Sequence, residues 1–213
     1  MRNVLAVLII VFCALIALPA AADIVYEDGP INGATDAWTI NFGFIISDTL
    51  TISTGDTRIT GMSFGAWITP GDVVQSLEVS ITEYLQGGTT YFDGIVNVTQ
   101  SGCYLNSYSY DVCVETATFD GPVLGNGRYW LNLENAHSSL DDPVYWDENS
   151  GVGCHSPGCP SLAGPNSLGT CPAEAFTIYG TSGGTGTVPE PASLIMFAGG
   201  VLAAGGMLRR KLG

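Results

Sequence analysis

Residues 139–151, "SLDDPVYWDENSG", gather more side chains able to do chemistry than any other stretch of this 213-residue chain. Asp141, Asp142 and Asp147, with Glu148 and Asn149 alongside, supply the hard oxygen ligands that Ca²⁺ takes, although their spacing is not that of an EF-hand loop. Solvated turn chemistry accounts for the same residues without a metal. Tyr145 and Trp146 offer ring faces for stacking on a sugar, while an aromatic within a strand serves a core equally well. Two of the carboxylates facing each other across a cleft would suit glycoside hydrolysis, which demands a defined separation.

A second cluster, "CHSPGC" at residues 154–159, places Cys154, His155 and Cys159 together. A structural zinc site needs four ligands, and exported thiols oxidise, so a disulfide loop with a surface histidine is the expected arrangement. His137 and His155 are the only histidines. No serine stands at a strand-to-helix elbow, so a hydrolytic triad has no support.

The elements that must position these residues follow a period of two. Leu77, Val79 and Ile81 alternate with Glu78, Ser80 and Thr82; Tyr129, Leu131 and Leu133 alternate in "RYWLNLEN", and Phe176 and Ile178 in "EAFTIYG". In "AWTINFGF", Trp38, Ile40, Phe42 and Phe44 are expected to share one face. Further short strands are expected at 49–53, 58–68, 91–99 and 112–119. Turn signals such as "STGD", "TPGD" and "QGG" separate them, and no 3.6-residue stripe precedes residue 189. The pattern predicts an all-β, antiparallel sandwich of jelly-roll type over residues 23–180, with an up-and-down barrel or another Greek key as the alternative.

Composition narrows the partners. Between residues 23 and 187, nineteen carboxylates stand against Arg58 and Arg128, a formal charge of −17 with no lysine. Such a surface repels phosphate backbones and anionic lipid, which excludes nucleic-acid binding and leaves divalent cations or polysaccharide. Cys103 and Cys113 flank the Tyr/Ser-rich "YLNSYSYDV", which reads as a hairpin tip closed by a disulfide. Cys154, Cys159 and Cys171 lie in a Gly/Pro-rich loop where two can pair, in a combination left open.

The two ends carry addresses. Arg2, the apolar run 4–18 and the small residues Pro19-Ala20-Ala21-Ala22 form the layout of a secretory signal peptide, with cleavage expected after Ala22. Residues 181–188 are a Gly/Thr-rich linker. Residues 192–208 carry no charge; as a helix at about 1.5 Å per residue they span about 26 Å, close to the hydrocarbon thickness of a bilayer. Arg209, Arg210 and Lys211 then hold the end in the cytoplasm and place the preceding domain outside. Pro189-Glu190-Pro191 is a stiff, extended break before that helix.

"VPEPASL", the apolar span and Arg-Arg-Lys resemble, in that order, the PEP-CTERM sorting signal of Gram-negative bacteria. The resemblance implies an exosortase that reads Pro189, Glu190 and Pro191, so these would be recognition residues for another enzyme. It also implies export by signal peptidase and the secretion machinery, membrane retention through the C-terminal helix, then delivery to the surface or extracellular matrix. Stretches such as "GMSFGAWITPGD" and "VYWDENSG" resemble passenger domains that carry this tail in environmental bacteria. The expected role is a non-catalytic structural or adhesive component of matrix or biofilm. A carbohydrate-binding module, with or without Ca²⁺, is the alternative, and an enzyme acting on polysaccharide is third.

Overall fold

Alternating apolar and polar side chains, broken by glycine turns, become antiparallel ladders. The computed structural model describes residues 22–149, 161–164, 170–171 and 174–182. The expected signal peptide, the linker beyond Ser182 and the whole sorting tail lie outside the described residues, as do Cys154, His155 and Cys159. Thirteen strands are present: β1 (Asp23–Asp28), β2 (Asp36–Thr39), β3 (Ile45–Ile52), β4 (Thr57–Ile68), β5 (Val74–Tyr84), β6 (Gly87–Leu105), β7 (Asp111–Thr118), β8 (Val123–Leu124), β9 (Gly127–Ser138), β10 (Tyr145–Glu148), β11 (Ser161–Gly164), β12 (Thr170–Cys171) and β13 (Phe176–Ser182). Every pairing is antiparallel, and no helix occurs among the described residues. The expected all-β antiparallel sandwich is the fold.

Its main path runs β1-β13-β4-β7-β6-β5-β9-β3-β11-β12. The 19-residue β6 turns the corner: it pairs with β5 through Asn97 and with β7 from Val98 onward, so one strand belongs to both layers. Curling the sheet at β6 faces Leu50, Leu77, Ile81 and Leu131 of one layer toward Met62, Phe64, Ala66 and Ile178 of the other in a single buried cluster. Burial of apolar side chains at about 25 cal/mol per Å² is the main force holding such layers together.

Three local features differ from a simple alternating reading. In "AWTINFGF" only the first half is strand. β2 ends at Thr39, Phe42 takes φ +56° and is 64% exposed, and Gly43 follows at φ +86°, so Phe42 and Phe44 leave the face that Ile40 buries. β4 is buried on both faces along most of its length rather than on one. Its inner face carries Met62, Phe64, Ala66 and Ile68, while Gly65 and Trp67 on the outer face are covered by Ile31 and Asp147. Finally, β13 runs to Ser182, two residues into the expected linker.

Strand β4 changes partner along its length. From Thr57↔Ser182 to Phe64↔Phe176 it pairs with β13, then at Ala66 and Trp67 with Trp146 and Tyr145 of β10. The gap is bridged by backbone bonds from Gly65 N to Ala175 O at 3.2 Å and from Ala175 N to Asp147 O at 2.7 Å. At its far end, Trp67 therefore sits between Val112 of β7 and Tyr145 of β10, all pointing outward.

Candidate functional site

The outward end of β4 is organised by one carboxylate. Asp147, fully buried on β10, accepts hydrogen bonds from Trp67 Nε1 at 2.5 Å, Gly33 N at 3.0 Å and Asn32 N at 2.8 Å. Burial raises its pKa above the ordinary aspartate value, and these three donors oppose that rise by stabilising the charge. Asp147 thus fixes a ring from β4 and the β1–β2 loop in one place. The loop closes on itself as an Asx turn, with Asn32 Oδ1 accepting from Ala34 N and Thr35 N. Gly33 has φ +59°, and a Cβ there would lie 2.7 Å from both Tyr104 Oη and Val112 Cγ2, so a side chain would have to displace both.

The β6–β7 hairpin tip supplies the opposite wall. Asn106 Oδ1 accepts from Tyr108 N and Tyr110 N, each at 3.0 Å, and its Nδ2 donates to Gly33 O at 3.2 Å, tying the tip to the loop. A disulfide joins Cys103 to Cys113 below the tip, with Cα atoms 4.1 Å apart. A bulge at Gly102, φ +63°, turns Cys103 toward its partner.

These supports hold four aromatic rings around one open cleft of about 370 Å³. Tyr108 stacks on Trp67 with centroids 5.4 Å apart and planes 25° apart; Tyr110 stands 6.1 Å from Trp67, and Tyr145 meets Tyr110 edge-on at 5.5 Å. Thr35, Asp36 and Ala37 line the remaining side. Trp67 is the floor at 5% exposure, whereas Tyr108 is 56% exposed and presents its ring to solvent. Burial and the hydrogen bond with Tyr110 push the Tyr145 phenol up, with Asp142 adding an electrostatic contribution. The cleft combines apolar ring faces, phenolic hydroxyls and an exposed carboxylate, Asp36, and among the described residues no basic side chain lines it.

The sequence-derived candidates separate in space. Tyr145 belongs to the cleft. Trp146 does not: it is fully buried, donates from Nε1 to Ala175 O at 3.1 Å and packs edge-on against Phe64 and Phe176, which leaves no face for a sugar. The alternation of a strand explains the split, because neighbours point to opposite faces. Asp141, Asp142 and Asp147 do not converge. Asp141 is exposed at φ +57° with its carboxylate 3.8 Å from His137 Nε2, while both Asp147 oxygens are occupied beneath the loop. Among the described residues no group of three His, Cys, Asp or Glu side chains is arranged to hold a metal ion. Cys171 lies in β12, while Cys154 and Cys159, the other two cysteines whose pairing was left open, are outside the described residues.

"GMSFG" at residues 61–65 fits a nucleophile-elbow pattern in letters, yet Ser63 lies mid-strand with Oγ 3.0 Å from Tyr179 Oη. Its glycines serve packing, since a Cβ at Gly61 would sit 2.4 Å from Ala117 O and one at Gly65 2.8 Å from Asp147 Cβ. Sequence reasoning missed Thr35, Asp36, Trp67, Tyr108 and Tyr110 as site residues. Tyr108 and Tyr110 of "YLNSYSYDV" were the available signal for two of these five.

Among the described residues no helix is long and apolar enough to cross a membrane; the expected span at 192–208 lies outside them. Residues 187–211 match the family model of the PEP-CTERM protein-sorting motif. A tail of this kind marks an exported, membrane-transiting bacterial protein that an exosortase processes. No curated protein and no solved structure matches the chain.

Proposed function

We propose that the exported domain is a non-catalytic, adhesive component of the surface or extracellular matrix of a Gram-negative bacterium, and that it holds carbohydrate in the aromatic cleft. One observation carries the reading: Tyr108, Tyr110 and Tyr145 surround a shallow volume of sugar size over the Trp67 floor, with hydroxyls at its edge. Pyranose rings bind by laying an apolar C–H face on an aromatic ring while hydroxyls exchange hydrogen bonds at the rim, and such sites combine apolar walls with a few placed polar groups. Hydrolysis would require two carboxylates flanking the bond. Among the described residues Asp36 is the single carboxylate lining the cleft, and Asp147 is committed to holding Trp67 and the loop. Stacking needs no metal, so binding persists in chelator.

Delivery rests on the tail. Signal peptidase removes residues 1–22, the 192–208 helix holds the intermediate in the inner membrane with Arg209, Arg210 and Lys211 inside, and exosortase acts at Pro189-Glu190-Pro191. Replacing that tripeptide with alanines leaves the full-length protein in the membrane fraction of the native host; normal maturation of this variant would remove the sorting role. The binding test is a glycan array probed with exported protein, with and without Ca²⁺. Wild type binds one class of polysaccharide, and Tyr108→Ala weakens it by about tenfold or more, the usual cost of losing a central aromatic contact. Binding by neither, or equally by both, would sink the cleft.

A further inference from the structure

The electrostatics of the cleft go further than its shape. Asp36 lines it and is exposed, Asp147 is bonded to the edge of its Trp67 floor, and Asp142 lies close enough to Tyr145 to act on its phenol. Ring faces carry the negative side of the aromatic quadrupole, so Tyr108, Tyr110 and Tyr145 add attraction for a positive group. Among the described residues no cation balances these charges at the cleft. Arg58 is engaged with Asp120 at 2.9 Å, and Arg128 lies over the Trp130 ring, so neither lines it. A concave surface of one sign with low-dielectric walls concentrates its field. A uronate, sulfated or phosphorylated sugar entering there would meet carboxylates and, among the described residues, no cation.

We propose that the cleft selects a cationic sugar: an amino-sugar polymer with free ammonium groups, seated with its ring on the tyrosines and its ammonium directed at Asp36. This rests on the carbohydrate-binding reading above and names the ligand class of the same site. An ammonium is attracted to tyrosine faces and donates a charge-assisted hydrogen bond to a carboxylate, so ring and charge act on different atoms of the sugar. N-acetylation removes the positive charge and keeps the ring, so it separates the two contributions. Asp36 suits a direct test, because its Oδ1 accepts from Ala37 N at 2.9 Å and an asparagine retains an oxygen acceptor for that bond.

The experiment is calorimetric titration of exported protein, at mildly acidic pH, with a β-1,4-glucosamine oligomer, its fully N-acetylated form and a cello-oligosaccharide of equal length. The glucosamine oligomer binds tightest, about tenfold or more over the acetylated form, and the preference shrinks as NaCl is raised from about 50 to 500 mM. Asp36→Asn removes most of the preference while leaving the acetylated oligomer bound. Tyr108→Ala weakens all three, and Asp93→Asn, an exposed carboxylate on β6, changes nothing. Equal binding of all three oligomers without salt dependence would overturn the amine and leave the carbohydrate reading intact. A preference unchanged in Asp36→Asn, or lost equally in Asp93→Asn, would show that general surface acidity attracts the polymer, and would also overturn it. Binding of none would remove both readings.

Discussion

Asp147 on β10 and Glu115 on β7 are both fully buried carboxylates, carried by the two strands that flank β4 in one layer, and they have opposite surroundings. Asp147 points outward beneath the β1–β2 loop and receives three donors. Glu115 points inward with Cys113 and Ala117, and neither of its oxygens has a hydrogen-bond partner. Its register partners are Phe64, which has nothing to donate, and Gln100, whose amide is used on Val74 N and Asp72 O. The contrast teaches that a buried acid becomes an organiser when the chain brings backbone donors to it, and a liability when the core merely closes over it.

The comparison breaks most readily at Asp147. Asp147→Ala strands the indole N–H and two backbone N–H groups in a buried site, at about 1–3 kcal/mol each, so unfolding in urea should show a loss of about 5 kcal/mol. Trp67 fluorescence should shift as its ring is released. A loss below about 1 kcal/mol would mean that the loop holds itself.

Glu115 gives the next largest effect, with the opposite sign. Burial pushes its carboxyl up to about 8 from 4.5. Below pH 4.5 the group is neutral folded and unfolded, so it costs no ionisation energy. Between 4.5 and 8 the unfolded chain ionises it and the folded chain does not, so stability falls as pH rises, by about 4 kcal/mol over that window. Glu115→Leu should flatten this slope and raise the melting temperature at pH 8 most. Parallel pH profiles of variant and wild type would show that Glu115 is hydrated.

Asp28 sits between the two cases. Tyr26 donates to its Oδ2 at 3.2 Å while Oδ1 has no partner, and burial raises its pKa to about 6 despite that bond. Stability lost between pH 3.8 and 6 should amount to about 2–3 kcal/mol, and Asp28→Asn should abolish that part of the profile. The smallest effect belongs to a fully solvated carboxylate: Arg58–Asp120, with side chains 51% and 91% exposed, should change stability by less than about 0.5 kcal/mol in Arg58→Ala. A larger loss would show that Arg58 matters through its bond to Gly121 O.

The layers were legible because Leu77, Val79, Ile81 and Leu131, Leu133 alternate cleanly, and alternation with one buried face is what a half-buried strand must show. The Cys103–Cys113 pair was legible because the nine turn-rich residues between them bring facing strands together. The doubly buried β4 was not, since its outer cover comes from Ile31 and Asp147, far away in sequence. The cleft was half legible. "YLNSYSYDV" announces tyrosines on a tip, but its meeting with Trp67, Asp36 and Tyr145 depends on β4 exchanging β13 for β10, a matter of register that no local pattern encodes. Trp146 misled for the converse reason: beside Tyr145 in sequence, it is on the other side of the sheet.

That exchange of partners also sets a mechanical axis. Strand β13 ends at Ser182, opposite Thr57 at the start of β4, while the cleft opens at Trp67, ten residues along the same strand and so about 33 Å away. A ligand pulling on the cleft against a tether at the exit would load β4 and β13 lengthwise. The rungs between Phe176↔Phe64 and Ser182↔Thr57 would then share the force in shear and yield together, not one at a time as in a peeled hairpin. Were the domain strung between a polymer and a cell, the load would fall along the direction in which the β4–β13 ladder resists best.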